Sequence, residues 1–124
     1  MKSFTLRPGH YVIADACVVK EEYYDEFLLN AFIDLSHGEA VQAGSSVILV
    51  TGADGLYDVT HKTTGEVLAT IPVDAANVAV VPAKMVSDGH ADGLDIVLTE
   101  ETEVVCYYDA MVIGDEFRIR IGKW

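Results

Sequence analysis

Short runs of β-branched and aromatic residues, many of which alternate with polar residues, recur along the chain and restrict its fold more than any other feature. Each run is bounded by Gly, Pro, Asp or Asn, as strands commonly are. The links GADG at 52–55 and KTTG at 62–65 have the length and the glycine placement of hairpin turns, and GD at 114–115 fits a two-residue turn. The pattern predicts about eight antiparallel strands, at residues 10–19, 45–51, 55–61, 66–71, 77–82, 94–99, 103–108 and 116–122.

The segment EEYYDEFLLNAFIDL, residues 21–35, has a helical period instead. Its apolar residues recur at spacings of three and four, and acids stand near its start, where the helix dipole favours them. An antiparallel sheet of many short strands must close or fold over to protect its edges, and a helix can plug one end or cover one face. We therefore predict a mainly β (α+β) fold, a small antiparallel β-barrel or sandwich of about eight strands with one helix near residues 21–35.

The length of the chain, 124 residues, fits a single domain spanning 1–124. No apolar run approaches the ~18–20 residues of a membrane span, and Met1 is not followed by the apolar core of a signal peptide. We expect a soluble, cytoplasmic protein without a membrane partner. The two cysteines, Cys17 and Cys106, are too few for a disulfide framework, and both are expected to be free thiols.

The acidic residues are concentrated in one span of a chain that carries a formal charge of −12. Residues 21–117 hold 19 of the 20 acids but only two bases, Lys62 and Lys84. Such a field repels nucleic acids and anionic membranes and favours basic partners, although plain solubility is an alternative explanation. The densest acids, which we take as candidate partner-binding residues, are Glu21, Glu22, Asp25 and Glu26 at the predicted helix start and Glu100, Glu101 and Glu103 at a strand start.

The predicted first strand contains an acid and a thiol, Asp15 and Cys17, which would share one face of that strand. A reactive cysteine needs a base, whereas a neighbouring carboxylate raises the pKa of a thiol. His10 lies about 23 Å away along the strand and cannot serve. We favour a structural role, in which Asp15 accepts backbone N–H groups at a bulge or at the following helix and Cys17 packs in the core.

The segment SDGHADGLD, residues 87–95, places Asp88, His90 and Asp92 at alternate positions. The spacing resembles the opening of a calcium loop, but position 12, which should be Glu, is Thr99. Histidine is also a poor ligand for a hard cation. A solvated loop is therefore the favoured interpretation, and a weak site for Zn²⁺ or another transition metal is the alternative.

Two arginines, Arg118 and Arg120, lie on the same side of the predicted last strand. Together they can clamp an anionic group, because a guanidinium binds carboxylates and phosphates through paired hydrogen bonds. The simpler alternative is that they pair with acids on neighbouring strands, such as Glu101 or Glu103.

Four stretches in order, LRPGHYVIADACVV, YYDEFL, DGLYDV…TGEVLATIPVDAANVAVVP and VIGDEFRIRIG, resemble a family of small proteins encoded by bacteriophages and prophages. The first strand of that family typically reads Pro-Gly-x-Tyr-x-Ile-Gly-Asp-Pro-Cys-Tyr, and the family has no agreed activity. Ala14, Ala16 and Val18 stand here where Gly, Pro and Tyr are usual. The residues that keep the pattern are Pro8, Gly9, Tyr11, Ile13, Asp15 and Cys17.

Three classes of function follow from these features, and no cofactor is expected apart from the metal ion that the third class could use. The favoured one is a non-enzymatic phage protein that inhibits a host defence or nucleic-acid-binding factor by presenting an acidic, nucleic-acid-like surface to a basic host protein. The second is capture of a small anion, such as a signalling nucleotide, by Arg118 and Arg120. The third is a small enzyme that uses Cys17 or the loop at 87–95. Nucleic acid is not an expected partner, and self-association stays open.

Overall fold

Eleven strands in two antiparallel sheets make up the described part of the chain, which in this computed structural model comprises residues 1–23, 38–74, 76–86 and 93–121, without the side chain of Cys17. The strands are β1 (Lys2–Leu6), β2 (Gly9–Ala14), β3 (Ala40–Ala43), β4 (Ser46–Val50), β5 (Gly55–His61), β6 (Val67–Val73), β7 (Asn77–Pro82), β8 (Leu94–Leu98), β9 (Thr102–Cys106), β10 (Ala110–Ile113) and β11 (Phe117–Arg120).

The first sheet has the strand order β1-β9-β10-β11-β5-β6, and the second has the order β3-β4-β7-β2-β8. Every neighbouring pair is antiparallel. The prediction of a mainly β fold is confirmed, and of its two architectures the sandwich is the one that fits. Three strands, β1, β3 and β10, had no counterpart in the predicted set.

The main core lies between the two sheets. Ile13 of the second sheet and Val59, Ile71 and Ile119 of the first are almost completely buried in one apolar cluster. In the first sheet burial alternates along β9 and β11, because only one face of these strands meets the core. Burying each such side chain stabilises the fold by roughly 1.5–3 kcal/mol before the entropy of ordering is counted.

The second sheet is covered on its outer face as well. β2, β4 and β7 are buried at successive positions, which explains why their sequences are continuous apolar runs rather than alternating ones. Short 3₁₀ turns at Ala16–Val18 and Ala83–Met85 lie over this face, where Val18 and Met85 join a second apolar cluster. The bridge between Val19 and Val86 holds the two turns together.

Three predictions differ from the structure or extend beyond the described residues. The link GADG at 52–55 is not a hairpin turn, because it joins β4 of the second sheet to β5 of the first. The strand predicted at 10–19 ends at Ala14, so Asp15 and Cys17 do not share a strand face with Tyr11 and Ile13. Glu21–Tyr23 forms a 3₁₀ turn, and residues 24–35 of the predicted helix lie outside the described residues. Within the described ranges, no helix has both the length and the apolar character that crossing a membrane requires.

Candidate functional site

A depression of about 480 Å³ lies where the turn between β8 and β9 meets the turn between β10 and β11. Five exposed acids line it, and we call it the acidic groove. Among the described residues of this lining, Lys62 is the only base. The acids of the acidic groove are Glu100, Glu101, Glu103, Asp115 and Glu116.

Backbone hydrogen bonds bring these two turns together. The N–H of Gly114 donates to the carbonyl of Glu103 at 2.9 Å, which continues the pairing of Ile113 with Val104. A side chain at Gly114 would meet Thr102 Cγ2 at 2.9 Å, and the backbone there has φ of +56°, so glycine suits this turn in both respects. The N–H of Lys62 donates to the carbonyl of Glu116 at 2.7 Å and ties the β5–β6 turn to the same place.

The acidic groove also contains exposed apolar surface. Val97 is 66% exposed and Tyr107 is 42% exposed, and both line the groove beside the acids. Carboxylates next to apolar side chains suit lysine and arginine, whose charged ends stay hydrated while their methylene stems pack on apolar surface. The acidic groove therefore combines negative charge with exposed apolar surface.

The structure brings together only part of the predicted acidic set. Glu100, Glu101 and Glu103 line the acidic groove, whereas Glu21 and Glu22 stand exposed on their own 3₁₀ turn and do not line it. Asp25 and Glu26 lie outside the described residues. The sequence interpretation missed Asp115 and Glu116 as site residues. The signal that could have found them is the turn motif GD at 114–115 followed directly by an acid.

Arg118 and Arg120 line a second depression, of about 650 Å³, on the first sheet, which we call the arginine cleft. The alternative in which they pair with Glu101 or Glu103 does not occur, because β10 lies between β9 and β11. Elsewhere, His10 Nε2 lies 3.5 Å from Asp95 Oδ1, on exposed side chains.

Asp15 has a structural role, as the sequence favoured, but its backbone donor lies neither at a bulge nor in the following helical turn. Its side chain is 2% exposed and accepts a hydrogen bond from the backbone N–H of Asp74. Beside it, the buried Asn77 side chain accepts the N–H of Ala16 at 3.1 Å. Asp15 therefore joins the end of β2 to the connection between β6 and β7. The position of the Cys17 side chain is not described.

The loop predicted as a weak metal site lies mostly outside the described residues, which include none of Asp88, His90 and Asp92. Asp95 is described, and it belongs to strand β8 rather than to a loop. In the part of the chain that the structure describes, no three or more His, Cys, Asp or Glu side chains are grouped so as to hold a metal ion.

Cys106 is a buried free thiol, 3% exposed, on β9. Burial raises the pKa of this thiol from its ordinary value of 9.0 to about 12, against a smaller opposing effect from the charge of Lys2. The thiol therefore keeps its proton at neutral pH and does not act as a nucleophile, because the thiolate is the reactive form.

The raised pKa of Cys106 predicts a loss of stability at alkaline pH. Between pH 9 and 12 the unfolded chain releases the thiol proton while the folded chain keeps it, so the free energy of unfolding falls as pH rises. We expect this group to contribute a loss of about 1.4 kcal/mol at pH 10 relative to pH 8. Urea unfolding at both pH values measures the loss, and Cys106→Ala should lack this part of it. An identical pH dependence in the variant would contradict the prediction.

The chain was compared with models of known protein families, with curated proteins and with solved structures. None of the three comparisons finds a match. The resemblance to the phage and prophage family stays a prediction.

Proposed function

We propose that the chain is a non-enzymatic binding protein whose acidic groove receives a basic surface of another protein. The observation that carries the proposal is the grouping of five carboxylates and a single lysine around one depression. The formal charge of the whole chain, −12, reinforces this local field. A concave surface lined by charges of one sign raises the local concentration of an oppositely charged partner and speeds its association.

The partner that suits this groove is a protein segment rich in lysine or arginine. Such segments are typical of proteins that bind nucleic acids, because phosphate contacts depend on these two side chains. Carboxylates that imitate the phosphate pattern would occupy that surface and block it. The resemblance to phage-encoded proteins supports a host factor, such as a defence nuclease, as the target and the host cytoplasm as the location. Inhibition by occupancy needs no catalytic group on this chain.

Neutralising the acids of the groove should slow association with the partner. In the triple variant Glu100→Gln, Glu101→Gln and Glu103→Gln, we expect the association rate constant at low salt to fall by about tenfold or more, with a smaller change in the dissociation rate constant. The salt dependence of association should also become weaker, because fewer charges steer the encounter. Biolayer interferometry with the purified partner, isolated by pull-down from a bacterial host lysate, measures all three quantities.

The matched control is the triple variant Glu21→Gln, Glu22→Gln and Glu66→Gln. It removes the same total charge from exposed positions outside the acidic groove. If the groove is the binding surface, this control should associate nearly as fast as the unmodified chain. Equal slowing by both triple variants would mean that net charge alone drives association, and an unchanged rate in the groove variant would exclude the groove. Far-UV circular dichroism checks that both variants stay folded.

A further inference from the structure

The arginine cleft lies on the outer face of the first sheet, away from the core. Arg118 and Arg120 flank Ile119 on β11, and Ile119 is fully buried, so the two arginines are on the opposite, outward side. The cleft volume of about 650 Å³ falls within the roughly 300–1,000 Å³ that small-molecule sites occupy. Its lining is formed by Ala53, Asp54, Gly55, Leu56, Tyr57, Asp58, Thr60, Gly65, Arg118 and Arg120.

The guanidinium groups in this cleft have unused hydrogen-bonding capacity. Nε of Arg118 is shielded from solvent and meets no hydrogen-bond acceptor among the described residues. Within the same residues, no carboxylate lies within 4.0 Å of the charged groups of Arg118 or Arg120. No carboxylate among the described residues therefore competes for the terminal nitrogens of the two guanidinium groups, which can form charged hydrogen bonds to an anionic ligand.

The spacing of the two arginines suits a single anionic group. Residues two apart on a strand are separated by about 6.6 Å and share a face, so both planar forks can reach one phosphate or carboxylate placed between them. Thr60, which pairs with Arg118 across the strands, adds a hydroxyl to the same face. The hydroxyl of Thr60 donates to the carbonyl of Arg118 at 3.3 Å and keeps its oxygen lone pairs as acceptors.

Two carboxylates and an exposed leucine also line the cleft. Asp58 Oδ1 accepts the hydroxyl of Thr70 at 2.7 Å, and Asp54 Oδ1 accepts the N–H of Ala76 at 3.1 Å. These bonds hold both carboxylates in position, and each carboxylate has further lone pairs for a hydroxyl of a ligand. Leu56, which is 74% exposed, supplies apolar surface for the body of a ligand.

We propose that the arginine cleft binds a small hydroxylated organic anion, with its phosphate or carboxylate between Arg118 and Arg120 and its hydroxyls donating to Asp58 and Asp54. Sugar phosphates, mononucleotides and sugar acids share this chemistry. The proposal is independent of the acidic groove, since the two depressions have no lining residue in common.

Isothermal titration calorimetry on the full chain tests the proposal with four probes: adenosine 5′-monophosphate, adenosine, glucuronate and inorganic phosphate. We expect saturable binding of the monophosphate or of glucuronate. Whichever of the two binds shows whether the cleft takes a phosphate or a carboxylate. Adenosine, which lacks the anionic group, should bind at least about tenfold more weakly than its monophosphate. Inorganic phosphate should also bind more weakly, because it lacks the ribose hydroxyls. Absence of saturable binding by both organic anions would overturn the proposal.

Variants of the arginine pair separate bidentate recognition from simple charge. Arg118→Gln with Arg120→Gln should lower the affinity for the anion by about tenfold or more. Arg118→Lys with Arg120→Lys should also lower this affinity, because lysine lacks the planar guanidinium group. The control, Arg7→Gln with Lys84→Gln, removes two exposed charges outside the cleft and should leave affinity nearly unchanged. Equal weakening by the control, or full affinity in the glutamine variant, would overturn the proposal. The lysine variant keeps the test valid if the glutamine variant fails to fold.

Discussion

Asp15→Ala is expected to lower the free energy of unfolding by about 2–4 kcal/mol. The Asp15 side chain is almost completely buried and accepts a hydrogen bond from the backbone N–H of Asp74. This bond ties the end of β2 to the connection between β6 and β7. Alanine would leave that donor without its partner and would open space around a polar group that water reaches poorly. Urea unfolding followed by far-UV circular dichroism measures the loss.

Two further variants separate this hydrogen bond from other effects of removing an acid. Asp15→Asn keeps an oxygen that can accept the Asp74 N–H, so its loss of stability should be smaller than that of alanine. Asp74→Ala removes an exposed carboxylate from the same connection but keeps the N–H donor, and it should change stability by no more than about 0.5 kcal/mol. A loss below about 1 kcal/mol for Asp15→Ala would show that the bond contributes little.

Gly93→Ala should be nearly as damaging, at about 2–3 kcal/mol. A Cβ at Gly93 would lie 2.6 Å from Val12 Cγ1, 3.0 Å from the carbonyl oxygen of Ile13 and 3.1 Å from Ala14 Cβ. Val12 and Ala14 are buried, so neither can move toward solvent to make room. The added methyl group must therefore push β8 away from β2, with which it pairs. The midpoint of urea unfolding should fall accordingly.

A double variant tests whether crowding causes this loss. Val12→Ala removes Cγ1, the atom nearest to the added carbon, so Gly93→Ala should cost less in that background than in the unmodified chain. Gly65→Ala is the matched control, because nothing lies within 4 Å of an added Cβ there and only its backbone φ of +76° disfavours alanine. Simple additivity of the Val12 and Gly93 changes would rule out the crowding explanation.

Gly93, in the loop that we considered as a candidate metal site, can be explained in two ways. In the sequence, Gly93 occupies the glycine position of a calcium-loop pattern. In the structure, it lies directly before β8, where the close approach of β2 leaves no room for a side chain. Both roles depend on the absence of a Cβ, so the glycine residue alone does not tell them apart in the sequence.

The candidate sites were predictable only in part. Local charge density singled out Glu100, Glu101 and Glu103, because all three stand within four consecutive residues. Asp115 and Glu116 become part of the same groove only through the pairing of β9 with β10 and the hydrogen bond from Gly114 to Glu103. Sequence distance hides this grouping, since strand pairing brings residues together regardless of their separation along the chain.

The sequence by itself determined the class of the fold. Side chains alternate between the faces of any strand, so a repeated period of two specifies strands with one apolar face. The glycine-containing links at 62–65 and 114–115 join antiparallel neighbours as predicted, whereas the link at 52–55 crosses from one sheet to the other. The sequence also determined that Arg118 and Arg120 lie on one face, because this follows from the same local geometry.

Only the tertiary structure decided which strands are neighbours. The order β9-β10-β11-β5 separates the arginines from Glu103 and places them beside Thr60 instead. The tertiary structure also decided that β2 ends at Ala14. Beyond this point the N–H of Ala16 donates to the side chain of Asn77, and the side chain of Asp15 accepts the N–H of Asp74. In longer strands these N–H groups would instead pair with a neighbouring strand. These choices depend on packing and hydrogen bonding summed over the whole core, and a short stretch of sequence contributes only one side of each contact.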